Sequence, residues 1–402
     1  MSMSIIGGAS QNSASYVKLM RLQGAAAQVF LGAVARFPVS SSGVAIVMSA
    51  SHSLGNYTSA GIAAAIYSFV TALAMPAWAK WMDVRGQFFV LSRVAIFQAF
   101  SLCLLAALCA RGADDFIIWV SAALVGASSI DVGSVVRARW KARLDTRSDH
   151  NTAFMLESVV DEAMFALAPA MTMVAASFNP YFAPVIIIVG PLIGLLGLSR
   201  IGSFVHMREG DHGRQGWLPT FSSWLLITFL AFLFIGALFG VIEVLLIAYS
   251  VGLQIPAFSG IALAAWATGS GAIALLFGPR LSSLDPRLLI VGGVSVMISF
   301  TFLMSMMNTP SLLVLWCFLA GLGAAPAISG GFSYVSHRCD KDRATQTMAL
   351  LTTALSFGTV IGASLGGLVA DNFPIGTGFM TASFLGLAAM IFASLTFRTG
   401  RL

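Results

Sequence analysis

Charged residues are scarce in this chain. Only 9% of its 402 residues are Asp, Glu, Lys or Arg, whereas 58% are hydrophobic and the mean hydropathy is +0.89. A soluble domain normally carries about 25% charged residues, so this composition excludes a sizeable soluble domain and indicates a protein embedded in the lipid bilayer.

The patterns of metal, redox and nucleotide chemistry are also absent from the sequence. The four cysteines show no CxxC spacing, which excludes a disulfide framework and a thiolate metal site. The five histidines fall in loops or at predicted helix ends and never pair at ligand spacing within a helix, which argues against a haem or metal enzyme. No Walker A sequence is present, so ATP is not expected to power the protein directly. We therefore predict no cofactor, no metal and no enzymatic activity.

Long apolar stretches make up most of the chain. A membrane-spanning helix needs about 20 apolar residues, and the sequence divides into twelve such stretches. They are predicted at 24–50, 57–79, 88–110, 115–138, 152–177, 181–199, 221–250, 257–279, 288–307, 311–335, 345–370 and 375–397. The predicted fold class is therefore all-α and integral to the membrane, with twelve transmembrane helices.

The net charge of +6 has a simple source in such a protein. Basic residues cluster in the loops on the side of the N-terminus, whereas the opposite loops contain only Arg111. The positive-inside rule then places both termini in the cytoplasm, and it explains the basic excess without nucleic acid binding. Arginine outnumbers lysine, which is typical of a GC-rich bacterial source, so a bacterial cytoplasmic (inner) membrane is the expected location.

The longest connection, 200–220, is polar and divides the twelve helices into two sets of six. We predict an N-terminal bundle over 1–205, a cytoplasmic linker over 206–219 and a C-terminal bundle over 220–402. The two sets also resemble each other, because residues 59–83 and 258–282 begin with similar small-residue patterns. Parallel repeats of six helices place a transport path between the bundles, near the membrane midplane.

A charged hairpin between Asp131 and Pro169 interrupts the apolar pattern. Charge at membrane depth costs at least a few kcal/mol per residue, so these side chains are expected to face the bundle interior and to pair or to carry ions. If the two helices are antiparallel, Asp131 lies level with Asp161, and Arg137 with Glu157. Glu157 and Asp161 are four residues apart on one helix face, so they repel each other unless one binds a proton or a cation lies between them.

The buried acids are the candidates for proton coupling. Asp131, Asp161 and Glu162 can each load a proton on one side of the membrane and release it on the other. The alternative is that Asp161 and Glu162 hold arginines in a fixed network. Arg36, near the middle of helix 1, is either a partner of one of these acids or a ligand for an anionic group of the substrate.

Three further side chains have two interpretations each. Glu157 is expected to pair with Arg137 or Arg139 near the cytoplasmic end, as a structural or gating pair. Glu243 is a second proton or cation-substrate candidate, unless it extends toward the outer interface. Trp266 lies in mid-helix and either lines a cavity that stacks on a cationic ligand or packs against other helices.

Two sets of residues are expected to be structural. Glycines at 358, 362 and 366 form a close-packing face on helix 11, which the glycines of helix 10 are candidates to meet. Five tryptophans are expected in the interfacial belts, namely Trp78, Trp81, Trp140, Trp217 and Trp224.

The sequence after helix 2, AKWMDVRGQ (79–87), resembles the loop motif G-x-x-x-D-R-x-G-R/K of the major facilitator superfamily. Asp83 and Gly86 match the motif, Arg85 stands beside the basic position, and alanine replaces the first glycine. The twelve helices, the middle loop and the six-plus-six repeat extend the resemblance over the whole chain. It implies a gate in which the Asp83 carboxylate meets the N-terminus of helix 11 near Thr345–Thr347. A helix N-terminus favours an anion by about 0.3–1 kcal/mol.

The resemblance implies a secondary transporter that moves a small molecule by alternating access. Proton-coupled export of an amphipathic or drug-like compound is the first hypothesis, although helix 5 keeps only Pro169 of the G-P-x-x-G-G motif found in proton-coupled drug exporters. Proton-linked import of a small metabolite is the alternative, and a permease-like sensor or accessory subunit that transports nothing is another. The expected partners are the substrate, protons and the lipid bilayer, with no obligatory protein partner.

Overall fold

A computed structural model describes residues 16–55, 57–201, 222–255, 257–281, 283–307, 309–339 and 343–398. Within these residues the regular structure is helical, and twelve stretches are long and apolar enough to cross a membrane. We refer to them as spans 1 to 12. The predicted fold class and the number of spans are confirmed.

Eight spans are single helices and four are built from shorter helices in series. The single helices are span 2 (Tyr57–Arg85), span 3 (Gln87–Ala110), span 5 (Arg147–Phe178), span 7 (Ser223–Gly252), span 8 (Ala257–Leu281), span 9 (Pro286–Met304), span 11 (Ala344–Asn372) and span 12 (Ile375–Leu395). The interrupted spans are span 1 (Ala25–Ala35 and Phe37–Leu54), span 4 (Asp115–Ala127 and Val132–Arg143), span 6 (Phe182–Ile187, a π-helix Gly190–Leu195 and Leu196–Arg200) and span 10 (Pro310–Gly321 and Ala324–Arg338).

The break in span 1 falls at Arg36. Pro38 lies in the first turn of the second helix, where its missing N–H leaves no helical hydrogen bond unmade. The break in span 4 falls at 128–131, and Asp131 caps the helix that follows. The breaks in spans 1 and 4 therefore each place one buried charged side chain at a helix end.

Several helices extend further than the predicted apolar stretches. Span 2 continues to Arg85, span 4 continues to Arg143, and span 5 begins at Arg147. The hydrophobic pattern marks only the part of a helix that lies in the hydrocarbon. The polar last turns beyond it keep their backbone hydrogen bonds and stay helical.

Span 11 packs against span 7 through its glycines. A Cβ on Gly358 would lie 1.9 Å from the carbonyl oxygen of Leu233, and one on Gly362 would lie 2.0 Å from that of Ala237. The predicted close-packing face is confirmed, but its partner was wrong: these glycines meet span 7, not the glycines of span 10. Sequence spacing identifies a small-residue face, whereas the choice of partner depends on helix order in space.

Spans 2, 4 and 5 pack against spans 8, 10 and 11. These contacts join the first six spans to the last six. The predicted linker 206–219 lies outside the described residues, and the predicted division into two bundles stays a prediction.

Candidate functional site

Arg36 is buried at the break in span 1. It is 4% exposed, and its Nη1 atom lies 3.1 Å from the point that a Cβ on Gly32 would occupy. Glycine at position 32 therefore leaves room for the guanidinium in the helix-packed interior. A guanidinium at such a place must meet anions, because it remains charged under all physiological conditions.

Two acids of span 5 supply those anions. Nη2 of Arg36 lies 2.7 Å from Oε2 of Glu157, and Nε of Arg36 lies 2.5 Å from Oδ1 of Asp161. The two carboxylates thus have a cation between them, which is one of the two arrangements that their spacing requires. Asp161 is one of the partners predicted for Arg36, and this ion pair is present.

Arg137 of span 4 forms a second ion pair with Asp161. Its Nη2 atom lies 2.6 Å from Oδ2 of Asp161, so each oxygen of Asp161 accepts from a different arginine. We call Arg36, Arg137, Glu157 and Asp161 the ion network. It holds two positive and two negative groups, which offsets the large cost of removing four charges from water.

The predicted pairing of Glu157 with Arg137 or Arg139 was wrong. The guanidinium of Arg137 extends back along its helix, with Nη1 2.6 Å from the position of a Cβ on Gly133. Helical side chains point toward the N-terminus of their helix, so Arg137 reaches Asp161, one turn deeper than the counting of residues from the hairpin turn indicates. Asp131 and Asp161 do lie at one level, since both approach this same point, within 3.3 and 3.6 Å.

Trp140, and neither Arg137 nor Arg139, is the partner of Glu157 from span 4. Its Nε1 donates to Oε1 of Glu157 at 2.8 Å, and its ring is fully buried. The expectation that Trp140 lies in the interfacial belt was therefore wrong. Trp217 of the same predicted set lies outside the described residues.

Arg139 points away from the ion network. Its Nε donates to Oε1 of Gln87 at 2.6 Å, and its Nη2 donates to the carbonyl oxygen of Leu198 at 2.9 Å. Arg139 therefore joins span 4 to spans 3 and 6, and Gln87 immediately follows Gly86. Gly86 has a φ of 82°, a backbone conformation that glycine adopts without strain.

Asp131 has a structural contact at the start of its helix. Its carboxylate accepts from the backbone N–H of Ser134 at 3.2 Å and also from the Ser134 hydroxyl, as an N-cap residue does. Thr352 of span 11 also lies beside this carboxylate. Asp131 thus connects span 4 with span 11.

Glu162 is placed differently from its neighbour Asp161. Its Oε1 accepts from the hydroxyl of Ser270 in span 8 at 3.1 Å, and the charged group acting on it is the carboxylate of Asp161. No salt bridge to Glu162 is present among the described residues. Its side chain is half-buried, whereas Glu157 is fully buried.

The predicted contact of Asp83 is present. The backbone N–H of Gln346, in the first turn of span 11, donates to Oδ2 of Asp83 at 2.9 Å. The anion therefore meets the positive end of the helix, as the loop motif implied. Arg85 lies at the end of span 2, with its guanidinium 5.8 Å from the ring centroid of Phe89.

The two remaining candidates lie apart from the ion network. Glu243 is exposed on span 7. Trp266 is buried and packs edge to face on Phe239, with ring centroids 5.6 Å apart.

Sequence reasoning missed the neutral partners of the charged residues. These are Gln87, Trp140, Ser270, Phe332 and Thr352, which meet Arg139, Glu157, Glu162, Arg137 and Asp131 respectively. A serine or phenylalanine in an apolar helix resembles every other one in the sequence. Trp140 offered a signal that could have identified its partner. A buried indole N–H needs a hydrogen-bond acceptor, and Glu157 is the acceptor on the neighbouring helix.

Comparisons with known proteins agree with this architecture. Residues 224–401 match the family model of the Major Facilitator Superfamily. Over 178 residues the chain is 28% identical to the "Multi-drug resistance efflux pump PmrA homolog" of Lactococcus lactis subsp. lactis (strain IL1403). That match spans only 42% of this chain and 42% of the relative.

Solved structures resemble the chain over nearly its full length. The human organic anion transporter MFSD10 (TETRAN) has a TM-score of 0.72 at 16% identity, covering 91% of this chain and 98% of that one. A bacterial homologue of the iron transporter ferroportin, in an outward-facing state, has a TM-score of 0.71 at 14% identity, covering 92% and 97%. A variant of the E. coli fucose:proton symporter FucP has a TM-score of 0.69 at 13% identity, covering 93% and 97%, and FucP in the outward conformation gives the same values. Residues 224–401 thus match the Major Facilitator Superfamily by sequence, and the chain shares the fold of these transporters over nearly its whole length.

Proposed function

We propose that this protein is a secondary transporter that exports an amphipathic or drug-like compound in exchange for protons, by alternating access between its two sets of six spans. The observation that carries the proposal is the environment of Glu162. This carboxylate stands beside a charge-balanced ion network and accepts a hydrogen bond from a neutral hydroxyl of the other set of spans.

Charge balance selects Glu162 as the coupling residue. Two arginines offset Asp161 and Glu157, so a proton on either acid would leave an arginine without its counter-charge. Glu162 has no such partner among the residues that the structure describes, so it can bind a proton without breaking an ion pair. Asp161 and Asp131 then act as fixed members of the interior, and Arg36 acts as the counter-charge of Asp161 and Glu157.

Contacts between the first six and the last six spans hold one side of the protein closed in this mechanism. Besides the Asp83–Gln346 contact, Nζ of Lys141 donates to the carbonyl oxygen of Cys339 at 2.7 Å, and the Ser333 hydroxyl donates to Asn151. These residues lie toward the side of the hairpin turn at 144–146, which we call the closed side. We propose that the closed side is cytoplasmic, because the basic loops lie there, and that both termini share it.

The gating residues act around this side. Asp83 holds the start of span 11, while Arg85 and Gly86 shape the turn that carries it. Arg139 ties that turn to spans 4 and 6 through Gln87. Opening the closed side then requires release of the Asp83 contact while the ion network, which includes Arg137 and Glu157, stays intact.

The direction of transport follows the sequence relative, whose name describes an efflux pump. Proton-linked import of a small metabolite is the second candidate, and the fold of the fucose:proton symporter favours it. Glu243, exposed on span 7, is a further site for a cationic group of the substrate, and Trp266 is a packing residue in this account. A sensor or accessory subunit that transports nothing is the third candidate.

Efflux of the fluorescent cation ethidium from energised bacterial cells tests the proposal. We expect the wild-type protein to extrude ethidium, a protonophore to stop the extrusion, and Glu162→Gln to abolish it at equal expression. Asp114→Asn, at an exposed site on the opposite side, is the matched control and should extrude normally. Efflux that persists in Glu162→Gln would overturn the role of this residue. Absence of efflux from the wild type would favour the import hypothesis.

A further inference from the structure

Arg137 contacts the last six spans through the face of an aromatic ring. Its guanidinium carbon lies 4.0 Å from the ring centroid of Phe332 in span 10. Both side chains are buried, at 1% and 3% exposure. A cation over an aromatic face is attracted by the ring quadrupole, and the attraction is strongest where water is excluded.

The hydrogen bonds of Arg137 do not satisfy its whole guanidinium. Its Nη2 donates to Asp161, but its Nε is buried without a hydrogen-bond partner in the described part of the chain. An unpaired donor on a buried cation is costly, so the nearby π-face is the compensation that the structure offers.

A neighbouring aromatic side chain holds the ring of Phe332 in place. Phe332 packs edge to face on Phe232 of span 7, with ring centroids 5.7 Å apart and an interplanar angle of 83°. Gly331 leaves the space for that neighbour, because a Cβ there would lie 2.0 Å from Cε2 of Phe232. The position of the ring is therefore fixed by spans 7 and 10, and not by Arg137 alone.

We propose that Phe332 is a positioning residue that couples the ion network to the closed side. Arg137 binds Asp161 within the first six spans and the Phe332 ring within the last six, so one guanidinium joins the network to the opposite set. The contact exists while spans 4 and 10 are together and is lost when they separate. Phe332 thus stabilises the closed side in proportion to its attraction for the cation. This inference rests on the proposed alternating access.

The neighbouring contacts between the two sets differ in kind. Glu162 meets Ser270 and Asp131 meets Thr352, and each pair is a carboxylate with a hydroxyl. Phe332 instead meets a cation, so the electron density of its ring can be varied without altering its shape. The electrostatic contribution of the ring can therefore be tested separately from its packing.

The test uses the full-length protein, with its four native cysteines replaced by serine and spin labels at Ser148 and Ser283. These sites are exposed, at the start of span 5 and after span 8. Phe332 is replaced in turn by mono-, di- and trifluorophenylalanine through nonsense suppression. Double electron–electron resonance then measures the ratio of the short, closed-side distance to longer distances.

We expect the closed-side ratio to fall stepwise with each fluorine, by about tenfold over the series, and Phe332→Trp to retain it. The matched control is the same fluorinated series at Phe232, which packs on the ring. Phe232 meets no cation in the described part of the chain, so this series should show no graded change. A flat series at Phe332, or an equal trend at both sites, would overturn the proposal.

Ethidium efflux measured on the same variants separates this inference from the proposed function. If the distances shift with fluorination while the wild type exports no dye, the coupling contact stands and the export function fails. If the wild type exports dye while the distances ignore fluorination, the export function stands and the role of Phe332 fails.

Discussion

Nε of Arg36 lies 2.5 Å from Oδ1 of Asp161, across 125 residues of sequence and between spans 1 and 5. The same guanidinium binds Glu157, one helical turn away. A single cation thus separates two buried carboxylates that would otherwise repel each other, and it fixes span 1 against span 5 at the break in span 1.

Removal of this cation should destabilise the protein severely. Arg36→Met leaves Glu157 and half of Asp161 buried without their counter-charge, a change that typically costs about 3–5 kcal/mol. We expect a large fall in the thermal midpoint of the detergent-purified protein. Arg111→Met, at an exposed turn, is the matched control and should change stability by less than about 0.5 kcal/mol. Equal midpoints for the two variants would contradict a structural role of the ion network.

Two glycines five residues apart in span 11 provide a test of helix packing. Gly362→Ala would place a Cβ 2.0 Å from the carbonyl oxygen of Ala237, so spans 7 and 11 must move apart, at a cost of about 1–3 kcal/mol. Gly367 has no atom within 4 Å of the corresponding position. Gly367→Ala should therefore be neutral or slightly stabilising, because alanine is the better helix former. Thermal melting of both variants checks this, and a similar loss in both would refute the close contact of spans 7 and 11.

Asp83 offers a test of the closed side. Asp83→Asn keeps the size of the side chain but removes the charge at the N-terminus of span 11, a contribution of about 0.3–1 kcal/mol. We expect the ratio of closed to open distances between labels at Ser148 and Ser283 to fall by about two- to fivefold. Asp114→Asn, at an exposed helix start on the opposite side, should leave the ratio unchanged. An unchanged ratio in Asp83→Asn would show that this contact does not hold the closed side.

The fold was predictable because its determinants are local. Apolar length gave the twelve spans. The resemblance of the loop after span 2 to a family motif implied the contact of Asp83 with the start of span 11, between residues 263 positions apart. The spacing of Glu157 and Asp161 along one helix also predicted that one of them binds a proton or that a cation lies between them.

The partners were not predictable, because they depend on how helices cross. Counting residues from the hairpin turn paired Arg137 with Glu157, whereas the backward direction of helical side chains pairs it with Asp161. The glycine face of span 11 was visible in the sequence, but span 7 as its partner was not. Phe332 carries no sequence signal at all, since only the fold brings it to Arg137.

The central claim is that the charge of Glu162 controls access, and a substrate-free distance measurement tests it most directly. Double electron–electron resonance between labels at Ser148 and Ser283 is recorded from mildly alkaline to mildly acidic buffer, in otherwise wild-type protein and in Glu162→Gln. A proton on Glu162 weakens its charge-assisted hydrogen bond to Ser270, so we predict a shift from short to long distances on acidification.

The variant separates Glu162 from the other titratable groups of the closed side, which include His150 and His337, whose rings lie 6.2 Å apart. Glu162→Gln imitates the neutral acid, so we predict long distances at every pH. A wild-type distribution that does not change with pH, or an identical titration in Glu162→Gln, would contradict the account.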